Sequence, residues 1–195
     1  HVDLLELEGL LGLALALGVT GAPLDLQEAA ALVTQPGELV RYFGFVLLLG
    51  PLPEEIGWRG YLLDRLQHRF DALGASLLVG LAHFAWHLPL FFMAGYYARA
   101  GGAPDPLRFA VLVLLGNTLI TWIYNNTDRS VLAAILFHFS GNVSGEMFGA
   151  SQSVYAYEAY LTAALVLFVL WRWGATTLRG RSSAAASSPA RSRLR

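Results

Sequence analysis

Three short motifs place ionisable or amide side chains at helical spacing inside otherwise apolar sequence. They are Glu54-Glu55 with Arg59, His83 with His87, and His138 with Asn142. An ionisable side chain in a bilayer core costs a few kcal/mol or more, so such residues are candidates for function by default. Carboxylates, imidazoles and an amide together can supply a base for water, a group that orients it and donors for an oxyanion. These are the parts that hydrolysis needs.

The first motif puts two neighbouring carboxylates after a proline-rich break. Glu55 and Arg59 are four residues apart and face each other one helical turn on, so a structural ion pair is as good an interpretation as a catalytic one. Glu54 points about 100° away from Glu55 and cannot fully share that pairing. We therefore take Glu54 as the candidate general base. A helix-start carboxylate satisfied by backbone amides is its structural alternative.

The second motif has a spacing known from metal ligands, but Phe84 stands where a zincin would need Glu. For His83 the favoured interpretation is a core histidine bonded to a neighbouring helix. In the third motif, a polar contact that joins two helices, worth on the order of 1 kcal/mol, is an equal alternative to function. The convergence of all three motifs on one buried polar pocket is the hypothesis that favours function.

The elements that position these motifs are predicted to be membrane helices. The 195 residues are 55% hydrophobic, and only 14% are charged, where a soluble domain usually carries about 25%. Mean hydropathy is +0.51. This composition argues against a soluble enzyme, a disordered chain and a nucleic-acid binder. The chain has no cysteine, which excludes thiolate metal sites and cysteine-protease chemistry.

The apolar runs predict an all-α, polytopic transmembrane helical bundle with about six membrane segments. The expected segments are residues 4–19, 40–49, 72–93, 107–124, 131–148 and 155–173. Pro51 and Pro53 must break the second run, so a new helix is expected to start there and to continue to Leu66. We expect one domain over residues 1–173, a motif core over 54–142 and a disordered Arg-, Ser- and Ala-rich tail over 174–195. Because the chain starts at His1, we expect upstream helices to be missing.

The distribution of arginine predicts the orientation in the membrane. All 13 basic residues are Arg, and six of them follow position 171. By the positive-inside rule the tail is cytoplasmic, although Arg99 and Arg108 then fall on the outer side. The Arg-only usage, rich in Ala, Leu and Gly, suggests a bacterial cytoplasmic membrane.

The three motifs, taken in order, resemble those of the CPBP intramembrane proteases. Glu54-Glu55-x-x-x-Arg59 is similar to the Glu-Glu-x-x-x-Arg motif of that group, which includes the type II CAAX prenyl endopeptidases and the bacterial Abi proteins. The segment His83 to His87 is similar to its Phe-x-x-x-His motif, with His83 in place of Phe. The segment His138 to Asn142 is similar to its His-x-x-x-Asn motif.

The resemblance implies an intramembrane endopeptidase that hydrolyses a peptide bond near the membrane surface. It implies these roles: Glu54 activates water, His87 helps to hold that water, Glu55 and Arg59 support the site, and His138 and Asn142 stabilise the oxyanion. The family is often called a metalloprotease, so the expected cofactor is either none or one divalent metal such as zinc, bound by Glu54, His87 and His138. The departure at position 83 leaves the role of His83 open.

Two other functions compete with a peptidase. The first is a non-catalytic immunity or scaffold protein of the same architecture. The second is a proton-coupled transporter, which ranks lower because Glu158 is the only acid after Glu146. The expected partners are a peptide or protein substrate and the lipid bilayer, with no nucleic acid. The segments as drawn place Glu54 and His87 at different depths, so the pocket hypothesis requires tilt or the proline break to bring them together.

Overall fold

The computed structural model describes residues 34–97, 102–147 and 152–180, and within these ranges the chain forms helices and turns without a strand. In chain order the elements are α1 (Pro36–Leu49), α2 (Pro51–Gly57), a π-helical turn (Trp58–Leu62), α3 (Leu63–Gln67), α4 (Ala72–Phe91), α5 (Pro106–Asn126), α6 (Val131–Met147) and α7 (Gln152–Trp173). The predicted segment 4–19 and residues 181–195 lie outside the described residues. The all-α prediction is confirmed for the described part.

The proline break lies where the sequence predicted it. Helix α1 ends at Leu49, and Gly50 has φ −118° and ψ −103°, which is not helical. Helix α2 begins at Pro51, so both prolines fall in its first turn, where a missing N–H costs nothing. This places Glu54 in the first turn of a new helix. The five-residue π-helical turn that follows is a local irregularity of the kind often found at functional sites.

Helices α4 and α5 are both long and apolar enough to cross a membrane, and residues 131–144 of α6 form a shorter apolar helix. Large apolar side chains such as Leu81, Trp86 and Leu107 point outward, while polar side chains such as His83 and Asn117 are buried inside. This inside-out arrangement is typical of a membrane helical bundle. The predicted count of six segments stays a prediction.

A close approach between α4 and α5 fixes their relative register. A Cβ added at Gly80 of α4 would lie 2.9 Å from Cδ2 and 3.2 Å from Cα of Leu114 on α5. Only glycine leaves room for the two backbones to come this close. The same added Cβ would lie 3.5 Å from Cβ of Asn117, so the close approach also places Asn117 against α4, where its side chain reaches His83.

The segment after α7, residues 174–180, packs against the ends of α4 and α5, and we call it the C-terminal strap. The backbone N–H groups of Ala72 and Leu73 donate to the carbonyls of Thr176 and Ala175, at 2.9 and 3.0 Å. The side chain of Leu178 is fully buried. The sequence predicted a disordered tail over residues 174–195, but residues 174–180 of it make these contacts with the helices. The physical reason is that the first amides of a helix need acceptors, and the strap supplies two for α4.

Candidate active site

Helix α2 and the π-helical turn bury one complete ion pair. Glu55 and Arg59 are both 0% exposed, and the guanidinium Nη1 lies 2.9 Å from Oε2 and 3.0 Å from Oε1 of the carboxylate. On the other side of Glu55, Oε1 accepts a 2.8 Å hydrogen bond from Nδ1 of His138 on α6. The pairing predicted from the four-residue spacing is confirmed. Glu55 thereby joins the first motif to the third.

Glu54 meets His83 of α4. The carboxylate Oε2 lies 3.0 Å from Nε2 of His83, whose side chain is only 5% exposed. The indole of Trp58 stacks on the other side of this imidazole, with ring centroids 5.5 Å apart and planes 28° from parallel. The ring of His83 is therefore held between a carboxylate and an aromatic face.

We call the polar cluster formed by Glu54, Glu55, Arg59, His83 and His138 the centre. Helix α5 contributes Asn117 to it. Its backbone carbonyl accepts a 3.1 Å hydrogen bond from Nη2 of Arg59, and its side-chain Nδ2 lies 3.1 Å from Nδ1 of His83. The hydroxyl of Thr121 donates to the same carbonyl at 2.8 Å. Asn117 thus contacts both the ion pair and the histidine, and it lies in none of the three motifs.

The remaining two predicted site residues lie at the edge of this centre. His87 is half-buried, its ring centroid is 4.8 Å from that of His83, and its Nδ1 is 3.0 Å from the carbonyl of His83. Because that carbonyl can only accept, Nδ1 carries the proton and Nε2 of the neutral ring is bare. The amide of Asn142 faces the proline break, 3.5 Å from where a Cβ on Gly50 would stand.

Several buried polar atoms of the centre have no aligned hydrogen bond. They are Oε2 of Glu54, Oε2 of Glu55, Nε1 of Trp58, Nε of Arg59 and Oδ1 of Asn117. Unsatisfied buried polar atoms are rare in folded proteins, because each costs about 1–3 kcal/mol. A cluster of them marks a place where polar groups are kept for a purpose other than stability.

Glu54, His83 and His138 can each offer one ligand atom, and these atoms lie within 4.8 Å of one another. A histidine that ligates a metal through one nitrogen normally donates the other N–H to an acceptor. His138 fits that pattern, since its Nδ1 faces a carboxylate. His83 does not, because its Nδ1 faces the amide nitrogen of Asn117, which can only donate. As oriented, the donor set does not fit a metal held by all three residues.

The structure brings the predicted residues Glu54, Glu55, Arg59 and His138 together. The histidine beside Glu54 is His83, whereas the sequence favoured His87 as the residue that acts with Glu54. The available signal for His83 was its place one turn before His87 on the same face. Asn117 was missed altogether, although an amide inside an apolar span is itself a signal. The interpretation of His83 as a histidine bonded to a neighbouring helix agrees with its contact to α5.

Two comparisons with known proteins agree with this geometry. Residues 36–144 match the family described as type II CAAX prenyl endopeptidase Rce1-like, a stretch that runs from α1 into α6 and contains all three motifs. The protein named CAAX prenyl protease 2 from Methanococcus maripaludis is 34% identical to this chain over 129 residues. The match covers 63% of this chain and 48% of that relative, so the chain spans about half the length of the relative.

Proposed function

The chain belongs to the Rce1-like family of type II CAAX prenyl endopeptidases, and from this membership we propose that it is an intramembrane endopeptidase. One observation carries the proposal: helices α2, α4 and α6 bring Glu54, His83 and His138 within reach of a single small molecule such as water. The carboxylate of Glu54 is the natural acceptor for a proton of that water.

The proposed reaction is the addition of water to the carbonyl carbon of the scissile peptide bond. Glu54 takes one proton from the water while the new C–O bond forms and the carbonyl π electrons move onto oxygen. The same proton then passes to the leaving nitrogen as the C–N bond breaks. The products are a carboxylic acid and an amine, so atoms and charges balance without a co-reactant.

The groups around Glu54 prepare that step in three ways. His83 holds the Glu54 carboxylate from one side. His87, whose Nε2 is bare, accepts a hydrogen bond from the water, as the sequence predicted for this residue. His138, whose ring is oriented by Glu55, and Asn142 stabilise the oxyanion.

Glu55 and Arg59 act as the fixed support of the site. Their charges neutralise each other out of contact with solvent, and Oε1 of Glu55, which also accepts from Arg59, orients the His138 ring. Orientation of a catalytic imidazole by a buried carboxylate selects one tautomer and prevents rotation of the ring.

For the substrate we propose a prenylated peptide. The family description and the printed name of the Methanococcus relative, CAAX prenyl protease 2, support this choice. The apolar outward surface formed by side chains such as Trp86 and Leu81 gives a lipid-modified peptide a route along the bilayer.

The test is cleavage by the full-length protein in detergent micelles, read by mass spectrometry. A farnesylated peptide with a C-terminal CAAX sequence and a mixed library of unmodified peptides are assayed with the wild type and with Glu54→Gln. We expect the substitution, which keeps the shape and removes the base, to lower kcat/KM by about 10²–10⁴-fold.

The matched control is Glu38→Gln, the same chemical change at an exposed carboxylate of α1 that pairs with Arg41, and it should cleave like the wild type. Equal cleavage by the wild type and Glu54→Gln would contradict the assignment of the base. Absence of cleavage by a folded wild type on both peptide sets would favour the scaffold function instead. Cleavage of the unmodified library alone would keep the protease and refute the prenylated substrate.

A further inference from the structure

The side-chain amide of Asn117 has only one orientation that its surroundings allow. Its Nδ2 lies 2.8 Å from the carbonyl oxygen of Val113, one turn earlier on α5. A carbonyl oxygen accepts and never donates, so rotating the amide by 180° would press Oδ1 against another oxygen. Nδ2 must therefore face Val113, and its second hydrogen is directed to Nδ1 of His83 at 3.1 Å.

This orientation determines which nitrogen of His83 carries the proton. Nδ1 accepts from Asn117 and is therefore bare, so the neutral ring holds its single proton on Nε2. Nε2 is the atom that lies 3.0 Å from Oε2 of Glu54. His83 consequently presents an N–H donor to the carboxylate that we propose as the base.

The donor and acceptor nitrogens of the His83 ring are reversed relative to those of His87 and His138. His87 and His138 each place Nδ1 beside an oxygen, a backbone carbonyl in one case and a carboxylate in the other. Nδ1 is therefore the donor in both of these rings. In His83, which contacts Asn117, Nδ1 is the acceptor instead.

The arrangement at Asn117 carries a cost in stability. Its Oδ1 is buried without a hydrogen-bond partner, and the residue is only 2% exposed. An apolar side chain of similar size would avoid leaving that oxygen unsatisfied. The amide is therefore better explained by its action on His83 than by its contribution to folding.

We propose that Asn117 is a positioning residue that locks His83 in the Nε2–H tautomer, so that the imidazole holds the Glu54 carboxylate and is a poor ligand for a metal ion. The proposal builds on the proposed function, because it assigns His83 a task at the same site. Asn117 acts through His83 and does not contact the reacting atoms.

The direct test is the protonation of the His83 ring, measured by ¹⁵N NMR on the full-length protein labelled at its histidines, with His83 assigned by its absence from the His83→Gln spectrum. We expect the wild type to show a protonated Nε2 and a bare Nδ1. In Asn117→Asp the carboxylate can only accept, so the proton should move to Nδ1. A wild type with protonated Nδ1, or no change in Asn117→Asp, would overturn the proposal.

A metal titration gives a second readout. A histidine whose Nδ1–H donates to a carboxylate is the usual arrangement behind a zinc ligand. Asn117→Asp should therefore bind Zn²⁺ about 10–100-fold more tightly than the wild type, measured by calorimetry on the purified protein. Equal Zn²⁺ affinity of the two proteins would contradict the claimed effect on His83.

The activity test uses Asn117→Leu, which we expect to lower kcat about 10–100-fold with little change in KM. The control is Thr118→Val, which removes the buried hydrogen bond from Ser76 of α4 to α5 without touching the centre, and it should retain full kcat. Equal losses in the two variants would mean that Asn117 is merely structural. The NMR and zinc experiments require no peptidase activity, so a failure of the proposed function would be seen separately.

Discussion

Helix α5 carries two buried amides, Asn125 and Asn117, and the polar clusters around them differ in how completely their atoms are satisfied. At the end of the helix, Asn125 donates to Oε1 of Gln67 at 2.9 Å and to the carbonyl of Thr177 at 3.0 Å, and its Oδ1 accepts from Gln67 at 3.2 Å. Eight residues earlier, around Asn117, several buried atoms lack an aligned partner.

The neighbouring Asn126 follows the pattern of the first cluster. Its Nδ2 donates to the carbonyls of Trp122 and Leu178, both at 2.7 Å, and its Oδ1 accepts from the backbone N–H of Gly180. The two amides thus fasten the C-terminal strap to α5. The difference between the clusters is what we expect if the satisfied one serves stability and the unsatisfied one serves the proposed chemistry.

The largest expected effect on stability comes from breaking the ion pair of the candidate active site. Arg59→Met leaves Glu55 as an uncompensated buried charge, which should lower the free energy of unfolding by about 3–5 kcal/mol. The measurement is denaturant unfolding of the full-length protein in micelles. The double variant Glu55→Gln with Arg59→Met removes both charges and should recover more than half of that loss.

Arg65→Met is the control for this prediction. Arg65 lies near Arg59 in the chain, but it is exposed, donates to the carbonyl of Tyr61 and lies over the Tyr61 ring. Its substitution should change stability by less than about 1 kcal/mol. A similar loss in the free energy of unfolding of both variants would show that the buried ion pair contributes no more to stability than an exposed arginine.

A smaller loss is expected at the C-terminal strap. Asn125→Leu leaves Gln67 and the carbonyl of Thr177 without partners, so the free energy of unfolding should fall by about 1–3 kcal/mol. The kcat of the folded protein should stay at the wild-type value, because Asn125 has no contact with the centre. Thr127→Val, which removes an exposed bond to the carbonyl of Ile123, is the control for unfolding. A fall in kcat with Asn125→Leu would remove the distinction between the two clusters.

The smallest effect is expected from removing metal ions. Because His83 is oriented as a donor by Asn117, dialysis against a strong chelator should change kcat/KM of the wild type by less than about twofold, far below the 10–100-fold changes typical of disturbed metal sites. Added Zn²⁺ should not raise it. Activity that is lost with the chelator and restored by Zn²⁺ would refute the proposed orientation of His83.

The sequence determined the parts of this protein that depend on neighbours along the chain. The apolar runs defined α4 and α5, and Pro51 with Pro53 defined the break before Glu54. The four-residue spacing was sufficient for the pairing of Glu55 with Arg59, because a helix brings i and i+4 together whatever surrounds it.

Only the tertiary structure decided which histidine meets Glu54. His83 and His87 share a helix face, so spacing cannot choose between them; the choice depends on how α4 is placed against α2 and α5. The close contact of Gly80 with Leu114 fixes that placement. It also brings Asn117 against His83, a contact between residues 34 positions apart. Such contacts follow from packing between helices, and no periodicity within one helix encodes them.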